Sequence, residues 1–153
     1  KWTKALQITN NTHNDFSPCL ALDKKGNPWI VWSGEDGIST SIYTRHWNGK
    51  KWTGTEQVSD IDIYEDTVPA ITFDSKNRPW VIWCRTDGTD DDIYASRLNG
   101  KNWSAPEMVN DNDNTPDIDP VISLDKQGNL LAVWCGYNGT NYQLYFSRRI
   151  NRQ

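Results

Sequence analysis

PAITFDSKNRPWVIW, residues 69–83, decides the fold, because the chain writes the same phrase three times. PCLALDKKGNPWIVW (18–32) precedes it and PVISLDKQGNLLAVW (120–134) follows it, at steps of 51 residues. Pro18, Pro69 and Pro120 keep that step, as do Asp23, Asp74 and Asp125, Trp32, Trp83 and Trp134, and Tyr43, Tyr94 and Tyr145. Trp52 and Trp103 are also 51 apart, whereas Trp2 precedes Trp52 by 50, a one-residue slip near residue 10. Self-similarity at a period of about 40–50 residues signals a repeat architecture. The units run over approximately 1–50, 51–101 and 102–153 of a single segment, 1–153.

Within each unit the residues before the aspartate alternate large and small apolar side chains, as in Ile71 and Phe73 against Thr72. That is a strand with one narrow face, suited to a crowded axis. The aspartate then opens a turn (KKGN, SKNR, KQGN) that supplies Gly or Asn for a positive φ. The next strand, NPWIVW, RPWVIW or NLLAVW, is largely apolar, which implies burial on both faces. A third strand follows (SIYTRHW, DIYASRL, QLYFSRR). Asn48-Gly49 and Asn99-Gly100 then make tight hairpins into a fourth, KWTGTEQVS and NWSAPEMVN.

Four antiparallel strands per repeat without helical periodicity describe a β-propeller blade. The expected fold is all-β, with three four-stranded blades per chain: half of a six-bladed ring, or part of a larger propeller. The chain opens on a fourth strand, residues 2–9, and closes on a third. A homodimer in head-to-tail rotation would let each opening strand complete the partner's last blade and cover the unpaired edges.

The net charge of −4, from 16 basic and 20 acidic residues, leaves no electrostatic footprint for nucleic acid. No apolar run is long enough to span a membrane as a helix. The start at Lys1 without methionine fits a processed or excised chain, and the expected location is extracellular, periplasmic or in the cell envelope. Three cysteines, Cys19, Cys84 and Cys135, cannot all pair within the chain and read as reduced, buried thiols. Trp29, Trp32, Trp80, Trp83 and Trp134 read as core.

Loops from the fourth to the first strand and from the second to the third emerge on one face of a propeller, and here both sets are acidic. One acid recurs in every repeat, Asp15, Asp66 and Asp117, three residues before the strand proline. Two roles compete: a cap on turn N–H groups, or a ring of carboxylates facing a cation or a ligand's hydroxyls; the run Asp111, Asp113, Thr115, Asp117, Asp119 alternates oxygen donors in a way Ca2+ tolerates. Glu35, Asp36, Asp87 and Tyr137 sit at the rim as ligand-binding candidates. Trp47 is the sugar-stacking candidate, because its equivalents are Leu98 and Arg149 and the fold demands no indole there.

The hairpin SRLNGKNW (96–103) resembles the Asp-box of the sialidase-superfamily propellers, S-x-D-x-G-x-T-W, at Ser96, Gly100 and Trp103. RHWNGKKW (45–52) matches at Gly49 and Trp52, and the family's Asp is replaced by Trp47 and Leu98. This resemblance implies blade architecture and carries over no catalytic residue. RHWNGKKWTG (45–54) is also similar to the outer hairpin of the short fucose-binding propeller lectins, which oligomerise into six-bladed rings. Repeats that stay alike supply several similar pockets, which suit multivalent glycans. The expected function is therefore a non-catalytic, lectin-like module with a glycan ligand. The alternatives are part of a sialidase-like hydrolase and a structural, protein-docking propeller.

Overall fold

The computed structural model describes residues 1–150. Twelve strands and no helix occur among the described residues, so no helix is long and apolar enough to cross a membrane. The first blade contains β1 (Asp15–Leu22), β2 (Pro28–Glu35), β3 (Thr40–His46) and β4 (Glu56–Gln57). The second contains β5 (Glu65–Phe73), β6 (Pro79–Thr86), β7 (Asp91–Asn99), β8 (Asn102–Trp103) and β9 (Glu107–Met108). The third contains β10 (Asp117–Leu124), β11 (Leu130–Tyr137) and β12 (Tyr142–Arg149). All pair antiparallel, in sheets of four, five and three strands.

The last sheet has three strands, as a chain closing on a third strand implies, and the departure from four-stranded blades lies in the fourth strands of blades 1 and 2. The fourth strand shrinks to the two residues of β4 in blade 1, and splits into β8 and β9 on the edge of β7 in blade 2. Residues 2–9 form no strand here; the Arg45 guanidinium reaches the Ile8 carbonyl instead.

Each innermost strand carries a bulge at the same place. The register slips between Phe16 and Cys19, between Thr67 and Ala70, and between Ile118 and Val121. Ser17, Val68 and Asp119 take positive φ of 51°, 51° and 55° there, immediately before the repeated prolines. Left-handed backbone at a β-branched residue is strained. At Val68 the Ser33 hydroxyl of the neighbouring blade accepts the displaced N–H at 3.1 Å. The expected turns also form: Asp23, Asp74 and Asp125 each accept backbone N–H groups two and four residues on.

The core lies between blades. β5 packs on both β1 and β10, so blade 2 sits in the middle. Trp83, Val81 and Ile82 are fully buried, and β6 is enclosed on both faces as its unbroken apolar run requires. Trp29, Trp32, Trp80 and Trp134 join it in the core. Leu20 and Leu22 of blade 1 and Leu144 and Phe146 of blade 3 remain exposed on the outer blades.

Candidate functional site

Asp15 and Asp117 begin β1 and β10 and Asp66 is the second residue of β5, and each carboxylate turns into its own blade. There it accepts the indole N–H of the tryptophan 17 residues on: Trp32 to Asp15 at 2.8 Å, Trp83 to Asp66 at 2.7 Å and Trp134 to Asp117 at 2.6 Å. The recurring aspartate therefore orients a core indole. The expected backbone-capping role belongs to other residues: Asp36 bonds the N–H groups of Ile38 and Ser39, and Asp87 those of Thr89 and Asp90. Each of the three carboxylates is committed to an indole of its own blade. Among the described residues no group of three or more His, Cys, Asp or Glu side chains is arranged to hold a metal ion.

The repeats diverge two residues beyond the tryptophan, where blades 1 and 3 have Gly34 and Gly136 and blade 2 has Arg85. Arg85 is buried. It donates through Nε to Asp66 at 2.7 Å and through an Nη to Asp66 at 3.0 Å and Asp60 at 2.6 Å, with Asp62 at 3.3 Å. Its guanidinium carbon lies 5.0 Å from the centre of the Tyr94 ring, 5.5 Å from Tyr64 and 5.9 Å from Trp83. Carboxylates and aromatic faces around one cation form a cage that favours the charge. Burial opposes the charge on Arg85, but the bonds to Asp66 and Asp60 outweigh it and hold the side chain protonated. Burial also pushes the Asp66 carboxyl up, and the bonds from Arg85 offset part of that rise.

Gly34 gives blade 1 no such cation. A cavity of about 310 Å³ is lined by Asn11, His13, Asp15, Trp32, Glu35, Asp36, Tyr43 and Thr55. Strand pairing explains the gathering: Asp15 lies opposite Gly34, and Glu35 opposite Thr40, so the start of β1 and the β2–β3 loop share one end of the sheet. Trp32 and Tyr43, cross-strand partners, stack at 6.1 Å and 29°. Glycine at 34 permits this approach, because a Cβ there would stand 2.9 Å from the Tyr43 ring and 3.1 Å from Asp15. Asn11 donates to both Asp15 oxygens, and Asn14 donates to Glu35 at 3.0 Å. Backbone hydrogen bonds from Ser39 and Ile38 hold the Asp36 carboxyl below its ordinary value.

The structure thus brings together Asp15, Glu35 and Asp36 and leaves the other candidates apart. Trp47 lies beyond the far end of β3, about 20 Å along the strand from Glu35, packed edge-on against Trp52. Asp87 occupies the equivalent loop of blade 2, and Tyr137 ends β11 in blade 3, tilted against Tyr142 at 5.4 Å. Asn11, His13 and Tyr43 were not legible as site residues. The signal that could have found them is the change from Arg85 to Gly34 inside otherwise matching phrases. A second cavity, about 300 Å³, opens between blades 2 and 3 beside Trp80, Ile82, Glu107, Ile122 and Arg149. Its walls are mainly apolar, and Arg149 is tied to Glu107 at 2.8 Å and stacked over Trp80.

Comparison with known proteins places this geometry in a fold. The chain is similar to an endo-arabinase of Bacteroides thetaiotaomicron VPI-5482, with 19% identity and a TM-score of 0.66 over 95% of this chain and 59% of that one. A thermostable family-43 glycoside hydrolase matches at 12% identity and a TM-score of 0.62, over 92% of this chain and 56% of that one. A fucose lectin of Kordia zhangzhouensis, solved with methyl-fucoside, matches at 20% identity and 0.51, over 85% of this chain and 91% of that one. The fold is that of a β-propeller. The chain spans less than two thirds of the two hydrolases' length. No family model matches it, and no curated protein matches it. These likenesses carry the propeller architecture, and sialidase kinship rests on the degenerate boxes alone.

Proposed function

We propose that this chain is a non-catalytic carbohydrate-binding propeller module, acting outside the cytoplasm, with its primary site in the blade 1 cavity. The observation that carries this reading is the cavity itself. Tyr43, backed by the buried Trp32, offers ring surface on which a sugar's C–H face can lie, while Asp15, Glu35, Asp36 and Asn11 offer polar groups for hydroxyls. The propellers of similar architecture include arabinanases and a fucose lectin, which agrees with a sugar ligand. The acids whose pKa is raised, Asp66, Asp90 and Asp117, line no part of the cavity, and Asp36 is held low.

The same reading takes the exposed Leu20 and Leu22 of blade 1 and Leu144 and Phe146 of blade 3 as contacts for a second copy, closing a six-bladed ring and doubling the sites. A glycan array probed with the labelled chain, together with its native mass, tests both parts. A defined set of bound glycans, lost in Glu35→Gln/Asp36→Asn, and a particle of two chains are expected. Hydrolysis of arabino-oligosaccharides would overturn the non-catalytic assignment, and a monomer at micromolar concentration would overturn the ring.

A further inference from the structure

Arg85 is a side chain occupying a repeat-equivalent pocket, and it shows what that pocket accepts. In blade 2 the guanidinium is held by Asp66, Asp60 and Asp62 against Tyr94, Tyr64 and Trp83. By the repeat, and with the one-residue slip, blade 1 places Asp15, Asn10 and Asn11 at the oxygen positions. Tyr43, His13 and Trp32 stand at the ring positions, and Gly34 stands where Arg85 would be. Asp15, Tyr43 and Trp32 keep three of the six cage groups, and the built-in cation is absent. Glu35 and Asp36 replace Thr86 and Asp87 at the mouth, while Asn10 and Asn11 replace Asp60 and Asp62, so blade 1 keeps three carboxylates and no guanidinium. Among the described residues no lysine or arginine forms an ion pair with Asp15, Glu35 or Asp36; His13 is the only basic side chain in the lining.

Blade 3 also has glycine at this position, and there the neighbours stand closer. A Cβ at Gly136 would stand 2.3 Å from Asp117 and 2.7 Å from the Tyr145 ring, so these groups have closed over the backbone, and Asn110 donates to Asp117 at 2.7 Å. At Gly34 the same distances are 3.1 Å and 2.9 Å, so the Tyr43 ring closes on this backbone too, and the cavity of about 310 Å³ lies beside Asp15, Trp32 and Tyr43. Blade 1 has no protein cation at this place and keeps a cavity beside Asp15 and Tyr43.

We propose that the blade 1 cavity is a receptor for an organic cation, a primary ammonium or guanidinium group, seated between the Trp32–Tyr43 pair and the Asp15, Glu35 and Asp36 carboxylates. The amino-sugar form of this ligand rests on the carbohydrate reading above; the cation cage itself does not. Two probes separate the sources of the charge: a fully deacetylated glucosamine tetramer and agmatine, a guanidinium compound with no sugar. The N-acetylated tetramer is the neutral control.

Calorimetric titration at neutral pH and low salt is expected to show the deacetylated tetramer binding at least about tenfold more tightly than its N-acetylated form, as one charge-assisted hydrogen bond implies. Gly34→Arg should abolish that binding by rebuilding the blade 2 arrangement. Because Tyr43 must shift to admit the new side chain, Glu35→Gln/Asp36→Asn serves as a second variant that removes charge while keeping shape. It should weaken the tetramer by about tenfold or more. Agmatine binding without either tetramer would support the cation cage and overturn the sugar reading. Equal or tighter binding of the N-acetylated tetramer, full affinity in the charge-removed double variant, or no binding of any probe would overturn the cage.

Discussion

Trp83 donates its indole N–H to Asp66 at 2.7 Å from within a site where both side chains are almost wholly buried. The bond recurs at Trp32–Asp15 and Trp134–Asp117, so one polar contact fixes the core tryptophan of every blade. In blade 2 alone the aspartate also carries Arg85, which makes Asp66 the most heavily committed of the three.

That commitment has a measurable cost when broken. Replacing Arg85 by Met leaves Asp66 buried without its counter-charge, and loss of one partner from a buried pair typically costs about 3–5 kcal/mol. Urea unfolding of Arg85→Met is expected to show a destabilisation of that size, with much of it recovered in Arg85→Met/Asp66→Asn. A loss below about 1 kcal/mol, the range of an exposed pair, would mean that the cage contributes little to stability.

Cys84 is expected to resist alkylation. Burial, helped by the Asp91 charge, pushes its thiol up to about 12, and its sulfur faces the Asp117 carbonyl of the next blade at 3.6 Å. The thiolate is the reactive form. Iodoacetamide at about pH 8, near the ordinary thiol value, should leave Cys84 unmodified in the native protein by mass spectrometry and label it fully in urea. Rapid native labelling at that position would contradict the packing of blade 2 on blade 3.

His46 gives the fold a pH dependence near neutrality. Its ring stacks on Trp29 at 3.9 Å and 7°, and burial lowers its pKa against the opposing pull of Glu56 and Asp23. A histidine whose folded pKa lies below its unfolded value binds fewer protons when folded, so stability rises with pH in that window. The contribution is present above the unfolded value of about 6.5 and is lost as pH falls through the lower folded value. Unfolding midpoints should therefore drop on acidification below about pH 6.5. His46→Phe, which keeps the stack on Trp29, should flatten that part of the profile, and an unchanged slope would assign it to other groups.

Asp74 acts lower on the pH scale. Burial raises its pKa, but hydrogen bonds from Arg78 and Trp80 outweigh this and the net shift is downward. Its stabilising effect is complete above the unfolded carboxylate value of about 3.9 and disappears as pH falls through the lower folded value. Asp74→Asn should lose stability at neutral pH and show less further loss on acidification than the parent chain. Equal acid sensitivity in both would locate the acid transition elsewhere.

By itself the sequence determined the repeat, the all-β blade, the turn aspartates Asp23, Asp74 and Asp125 and the buried tryptophans, because period-two patterning and turn chemistry are local. It could not decide where the carboxylate of Asp66 points, which depends on an indole 17 residues away. It could not place the bulge at Val68 either, whose positive φ no β-branched residue advertises. Nor could it decide that Glu35 and Asp36 share a cavity with Asp15 while Trp47 stands at the opposite end of β3, since register and loop closure set those distances. The short fourth strands of blades 1 and 2 were likewise tertiary: an edge strand lasts only as long as its neighbour's free N–H and C=O groups are within reach. The exchange of Gly34 for Arg85 was visible in the letters all along. Only the tertiary structure showed a cage around Arg85 and a cavity beside Asp15 and Tyr43, because a cavity is defined by the atoms around it and not by the residue that is missing.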